Sequence, residues 1–353
     1  MTSQAPLPVV LHPIRAIHPT LDTDGLGAKL EELGVQFFRL PEDGNLHEET
    51  YEQASLILEA FNICAARAHP LQLVDYQDNE AVLQNAGAPI IGNPPSQFYG
   101  RYENTTTGAG VVNRYALTST FKKYAHRDTW IAHYDDEDPD ARSPIAGALA
   151  YSEVLESLKT RQLFGKQLEG KGGNYHLSNE EELLSMFWDM GSDRHPVTCQ
   201  VQQRVVFENE KRFIVAGGRI VTYSPRLLAV YTGARTKTLD AQQVREAFYQ
   251  PFDRGEGTLE NLVADPDLHH RMLSFAQQVA DDFAAETGQQ FFVVDCGEII
   301  APDGQRNLAV VEFNNFNQSG LFASDTKAIA RAWADHLCDA PKLLVTDRLG
   351  TPI

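Results

Sequence analysis

The sequence predicts an α/β fold that becomes α+β in its C-terminal part, and three observations predict it. Short apolar runs alternate with helically spaced segments through the first part of the chain. From Gln162 onward β-rich runs follow one another with few helices between them. The chain has 353 residues, 42% apolar and 22% charged, which at about 150 residues per domain is enough for two to three units with sizeable cores.

Taken in order, Val9-Val10-Leu11 reads as a strand, Gly27 to Leu33 as a helix and Val35 to Phe38 as a second strand. Glu48 to Ala66 has helical spacing, and Leu71 to Val74 and Pro89 to Ile91 are further short strands. Alternation of this kind favours a small parallel α/β domain over residues 1–110. Its end is marked by a turn-rich stretch from Gly92 to Gly110, with Gly-Asn-Pro-Pro followed by Asn-Thr-Thr-Thr-Gly-Ala-Gly. Within a second unit, 111–200, the run Asp135-Asp136-Glu137-Asp138-Pro139-Asp140 reads as a solvated loop, since clustered like charges repel and nothing spaces them as a calcium loop.

A third unit, 201–353, is expected to carry a sheet. Thr198 to Phe207, Arg212 to Ala216 and Arg219 to Tyr223 are consecutive β-rich runs, and Gly217-Gly218 matches a hairpin turn. Leu268, Met272, Phe275, Val279 and Phe283 recur at three- and four-residue intervals, predicting a helix over Asp267 to Thr287 that Gly288 stops. Phe291 to Val294 and Leu308 to Val311 are apolar strands, and Asp325 to Leu337 is a final helix.

Composition excludes several classes. The formal charge of -18 repels nucleic acid and anionic membrane on average, so an anionic substrate needs a local cationic site. No apolar run approaches the roughly 20 residues that span a bilayer, and the first 16 residues lack the basic start and apolar core of a signal peptide; a cytoplasmic location is expected. Cys64, Cys199, Cys296 and Cys338 are far apart, without ligand spacing, and read as small buried apolar side chains. Neither HExxH nor GxSxG occurs.

Three places can carry chemistry. Leu163 to Gly173 is a strand running into a glycine-rich turn with two lysines, Lys166 and Lys171, suited to bringing backbone N–H groups and ammonium charge to phosphate. Gly165, Gly170 and Lys171 satisfy the GxxxxGK spacing. Gly172 nevertheless stands where the Mg²⁺-holding hydroxyl of a P-loop belongs, and the residues after Gly173 read as a strand. The competing reading is a surface hairpin. Next, Glu210 and Arg212 share a strand face, as an ion pair or a charged site, and the preceding Gln202 and Gln203 offer amides to an adenine edge. Most specific are Asp295, ending one apolar strand, and Glu312 with Asn314 ending another. They form the hard oxygen set that Mg²⁺ prefers.

The order of lysine strand, Gly-rich loop, Glu210-x-Arg212 strand, Asp295 and then Glu312-x-Asn314 resembles the ATP-grasp superfamily. Glu210-Lys211-Arg212-Phe213-Ile214-Val215, Val310-Val311-Glu312-Phe313-Asn314 and Ser319-Gly320-Leu321 are similar to its subset named for one arginine and two lysines. The likeness covers Lys122 to Asp325. It implies two α+β lobes preceded by a small Rossmann-like domain, and ATP with Mg²⁺ as cofactors. By resemblance Lys166 touches the α/β-phosphates, and Gly170, Lys171, Gly172 and Gly173 close over the triphosphate. Arg212 then meets the γ-phosphate or an acyl phosphate, and Asp295, Glu312 and Asn314 hold the metal. An earlier nucleotide lysine is either Lys122 or Lys123. Gln202, Gln203 and Glu210 are expected in the nucleotide site; Asn317 and Ser319 are candidates for a substrate pocket, with loop structure as the competing reading.

The implied activity is ATP-dependent carboxylate–amine ligation through an acyl phosphate, with small-molecule or peptide carboxylates and amines as substrates. No nucleic acid or membrane partner is expected, and the oligomeric state stays open, a homodimer included. Two alternatives stand beside it: an enzyme of the same fold with another acceptor, and a nucleotide-binding regulatory or scaffold protein without turnover.

Overall fold

The computed structural model describes residues 7–11, 14–17, 26–32, 37–39, 48–67, 71–75, 90–91, 115–141, 145, 147–167, 174–191, 196–225, 227–229, 249–251, 266–300, 304–316, 319–320 and 324–339. It is a mixed α/β structure. Short strands open the chain: β1 (Leu7–Leu11), β2 (Ile14–Ile17), helix α1 (Leu26–Glu32), β3 (Phe37–Arg39), α2 (Glu48–Ala66), β4 (Leu71–Asp75) and β5 (Ile90–Ile91). β1 is the centre of a parallel sheet of order β4-β1-β5, with Val10 opposite both Val74 and Ile90. Parallel neighbours require long crossovers, and α1 and α2 lie between β1 and β4 in the chain. β2, which has no counterpart among the expected elements, pairs in parallel with β3.

Next come α3 (Ser119–Tyr124), β6 (Thr129–Tyr134), α4 (Tyr151–Leu158), β7 (Leu163–Gln167), β8 (Asn174–Leu177), α5 (Glu180–Gly191) and β9 (Val197–Gln203). The strands form an antiparallel sheet of order β6-β9-β7-β8. Because side chains alternate along a strand, its two faces differ. Ala132, Tyr134, Leu163, Leu177, Cys199 and Val201 lie on one face and pack with Val154, Leu158, Leu183, Met186 and Phe187 of α4 and α5 into a buried core. Lys166, opposite Gln200, and Phe164, opposite Gln202, lie on the other. As expected, the acidic run is an exposed loop from Asp136 to Asp140.

Gly165 belongs to the core face. A Cβ added there would fall 2.1 Å from Met186 Sδ and 3.3 Å from Leu177 Cδ1. The glycine is therefore required by the close packing of α5 on β7. Gly165→Ala is expected to destabilise the fold by about 1–3 kcal/mol through overpacking, with partial rescue by Met186→Ala. Urea unfolding of both variants measures this, and a neutral Gly165→Ala would refute the packing argument.

The chain continues with β10 (Phe207–Ala216), β11 (Arg219–Pro225), β12 (Leu227–Ala229), β13 (Tyr249–Pro251), α6 (Pro266–Thr287), β14 (Phe291–Ile300), β15 (Arg306–Asn315) and α7 (Thr326–Asp339). A four-stranded sheet has the order β11-β10-β14-β15. The β10–β11 hairpin turns through Gly217 and Gly218 at φ 61 and 72, values a side chain would oppose. α6 seals its own unit: Phe283 stacks on Phe313 with centroids 4.0 Å apart and meets Phe292 at 4.9 Å. α2 buries Leu56, Ala60, Phe61 and Cys64 and packs against α7.

Two expectations are corrected. The run Thr198 to Phe207 is not one strand, because β9 ends at Gln203 and β10 begins at Phe207. The β-branched Val206 that prolongs the pattern is 72% exposed. Nor does Asp295 end its strand, since β14 runs on to Ile300. A buried carboxylate can sit mid-strand because a cation reaches it there, as described below.

The chain divides into two compact units, one of Met1–Val112, Asn209–Gly297 and Phe313–Ile353, the other of Asn113–Glu208 and Glu298–Glu312. No described helix is long and apolar enough to cross a membrane.

Candidate functional site

In the unit of Asn113–Glu208 and Glu298–Glu312, β7 delivers Lys166 to the polar sheet face. Its Nζ donates to Glu312 Oε2 at 2.7 Å, with both side chains about four-fifths buried. The ammonium also lies 4.9 Å from the centroid of the buried Tyr115 ring. Burial alone would make Lys166 release its proton more easily. The Glu312 carboxylate and the Tyr115 oxygen outweigh this and hold the ammonium above the usual lysine range. The Tyr115 hydroxyl is pushed up by burial, with Lys166 pulling the other way.

Beside Lys166 lie Gln200 and Gln202, both buried. Gln200 Nε2 donates to Gln202 Oε1 at 3.3 Å, and Arg127 Nε donates to the same oxygen at 3.1 Å. Gln202 is thus part of an internal network. Gln203 pairs with Leu163, on the opposite face from Gln202, so the two amide side chains do not address one edge together.

In the other unit, β10 and β14 bring Arg212 to Asp295. Nε donates to Oδ1 at 2.8 Å and Nη2 to Oδ2 at 2.7 Å, a two-bond fork between side chains 7% and 0% exposed. Arg212 Nη1 donates to the Gly320 carbonyl at 2.8 Å, which ties the segment after β15 to β10. Asn314 Nδ2 approaches Asp295 Oδ2 at 3.4 Å. Burial pushes the neighbouring Cys296 thiol well up, and the carboxylates of Asp295 and Glu210 add to it. The thiol is fully buried, as the sequence reading of the cysteines expects.

The other predicted residues are distributed as follows. Glu210 is half-buried two positions before Arg212. Lys122 and Lys123 are exposed on α3, with Lys123 Nζ 4.5 Å above the Tyr124 ring. Ser319 is buried beside Gly320. Gly170, Lys171, Gly172, Gly173 and Asn317 lie outside the described residues. Arg127 and Tyr115 were missed, and no motif surrounds either.

Asp295 and Glu312 supply two carboxylates and Asn314 an amide oxygen, and Glu312 and Asn314 leave the same face of β15 because they are two residues apart. Each of these side chains carries the kind of hard oxygen that Mg²⁺ takes, Asp295 and Asn314 in one compact unit and Glu312 in the other. Among the described residues no group of three or more His, Cys, Asp or Glu is arranged to hold a metal. Each carboxylate instead holds a cation of the chain.

No family model matches the chain, and no curated protein does. Among solved structures it is similar to a RimK domain ATP-grasp protein from Sphaerobacter thermophilus, at 14% identity and a TM-score of 0.44 over 94% of this chain and 99% of that one. It is similar to D-alanine–D-alanine ligase from Bacillus anthracis at 13% identity and a TM-score of 0.47, over 94% and 95%. An N5-carboxyaminoimidazole ribonucleotide synthetase in its ADP complex follows at 13% and 0.43, over 90% and 72%.

Proposed function

We propose that the protein is an ATP-dependent carboxylate–amine ligase of the ATP-grasp type. The observation that supports it is the pairing of its motif residues: the fully buried Asp295 takes the Arg212 fork, and Glu312 takes Lys166. Burying four charges for stability alone is poor design, since apolar residues of similar volume usually serve at least as well. Cations and carboxylates kept inside the protein suit a polyphosphate and its counter-ion.

On this reading Lys166 turns from Glu312 to the α/β-phosphates, and Arg212 faces the γ-phosphate. Asp295, Glu312 and Asn314 would hold Mg²⁺, which when bound offsets phosphate charge. A substrate carboxylate oxygen attacks the γ-phosphorus while the bond to ADP breaks, giving an acyl phosphate. An amine nitrogen then attacks the acyl carbon, phosphate leaves and the amine loses a proton. Arg212 is neither acid nor base; it stabilises charge where it accumulates. The division into 1–110, 111–200 and 201–353, a cytoplasmic location and small-molecule or peptide substrates belong to the same proposal.

The test is an ADP-release screen of carboxylate and amine pools, amino acids first, with mass spectrometry of the products. ADP release that needs both substrates is the expected result. ATP binding with no ADP release under any pool would favour the non-catalytic regulatory reading, and no ATP binding at all would reject both.

A further inference from the structure

We propose that Arg127 is the positioning residue for Glu312: it fastens the strand that carries this carboxylate, so that Glu312 meets Lys166. The proposal deepens the ligase reading and rests on it only for its kinetic consequence.

Arg127 is 9% exposed and lies just before β6. Its Nη1 donates to the Val310 carbonyl and its Nη2 to the Val311 carbonyl, both at 2.6 Å. Nη1 also donates to the Ala125 carbonyl at 3.1 Å, and Nε to Gln202 Oε1 at 3.1 Å. The guanidinium carbon sits 5.3 Å from the Phe121 ring centroid and 5.1 Å from that of Phe207. One side chain thus reaches the two residues immediately before Glu312 and the amide beside Gln200, the cross-strand partner of Lys166.

The geometry has a physical reason. Among the described residues β15 is an edge strand, with no neighbouring ladder along its outer side. Consecutive carbonyls of a flat strand point to opposite sides. A single fork that reaches both the Val310 and the Val311 carbonyl fastens the chain at the two residues before Glu312. Arg does this because its planar head presents five N–H donors in a fixed array. Lys has three donors on a flexible stem and cannot hold four acceptors. The four acceptors named are neutral oxygens, and the two aromatic faces stabilise the cation between them.

A core staple with no bearing on the site would give the same hydrogen bonds, so the test reads Lys166 itself. The full chain is labelled by reductive methylation, and the rate at Lys166 is followed by peptide mass spectrometry against the exposed Lys159 as internal reference. Folding of each variant is checked by circular dichroism and thermal melting. In a folded Arg127→Lys variant, Lys166 is expected to react at least about tenfold faster than in the wild type while Lys159 is unchanged; Glu312→Gln sets the upper limit. An unchanged Lys166 rate in that folded variant overturns the proposal. If Arg127→Lys does not fold, Phe207→Leu, which removes one ring face, carries the test: a rise of about threefold supports the proposal and no change rejects it.

Labelling needs no nucleotide, so the two readings fail separately. If the wild type neither binds nor turns over ATP but Lys166 responds as stated, the ligase reading falls and the positioning role stands. If ADP release is robust and Lys166 does not respond, the reverse holds. Where both stand, Arg127→Lys lowers kcat more than it raises KM for ATP, because the phosphate-facing groups are present but misplaced.

Discussion

Arg212→Ala is expected to lose about 3–5 kcal/mol of folding stability and to lower turnover by about 10²–10³-fold. Asp295 has no exposed surface and receives the two N–H bonds of the Arg212 fork. Truncation leaves the Asp295 carboxyl in the interior without its charged donor. The Asn314 amide, at 3.4 Å, is too distant to replace a charged donor. The two losses have different origins, and a second variant separates them. Arg212→Met with Asp295→Leu removes both charges and fills similar volume. It should regain most of the lost stability, since replacing a whole buried pair is often neutral, less the cost of about 1–3 kcal/mol for the Gly320 carbonyl left without its donor. Turnover should stay lost in the double variant. Urea unfolding and ADP release, measured on the same preparations, decide the matter. Turnover that returned together with stability would mean that Arg212 is structural, and an unchanged Arg212→Ala would sink both statements.

The part of this site legible in the sequence is the part written in local periodicity. Glu312 and Asn314 can be placed on one strand face from their spacing alone, and the Gly217-Gly218 turn shows where β10 reverses. α6 matches its apolar spacing to within a residue, because helix ends obey local rules such as the Gly288 stop. What the chain does not show locally is partnership. Arg127 bonds to carbonyls 183 and 184 residues away, and nothing around His126-Arg127-Asp128 points there. Gly165 fits a phosphate-loop spacing, yet its place is decided by Met186 packing over β7. Asp295 looks like a strand terminus because a carboxylate inside an apolar strand is costly. The Arg212 fork, contributed by another strand, offsets the cost of a mid-strand position. The Gln202 amide, which the sequence offers to an adenine edge, accepts from Arg127 Nε, a partner 75 residues away.

Glu312→Gln is expected to bind metal-free ATP about tenfold more tightly than the wild type, the opposite of what removing a binding residue normally does. In the wild type the Lys166 ammonium is already satisfied by a carboxylate at 2.7 Å. A phosphate that takes this ammonium must break a charge-assisted bond and leave Glu312 partly buried with its cation withdrawn. If Glu312 turns to Mg²⁺ at the same moment, that penalty is offset, so nucleotide and metal should bind with a coupling of about 1–3 kcal/mol, equal in both directions. Glutamine keeps the shape and removes the charge. Lys166 is then released to any phosphate, while on the proposed reading the metal would lose a carboxylate, so the coupling should shrink towards zero. Lys166→Met, by contrast, should weaken ATP binding with or without metal. Titration calorimetry of ATP with and without Mg²⁺, corrected for metal–nucleotide association in solution, gives all three values. A Glu312→Gln protein that bound metal-free ATP no better than the wild type would show that the Lys166–Glu312 pair does not compete with the nucleotide. Lys166 would then be a fold residue and not a phosphate ligand.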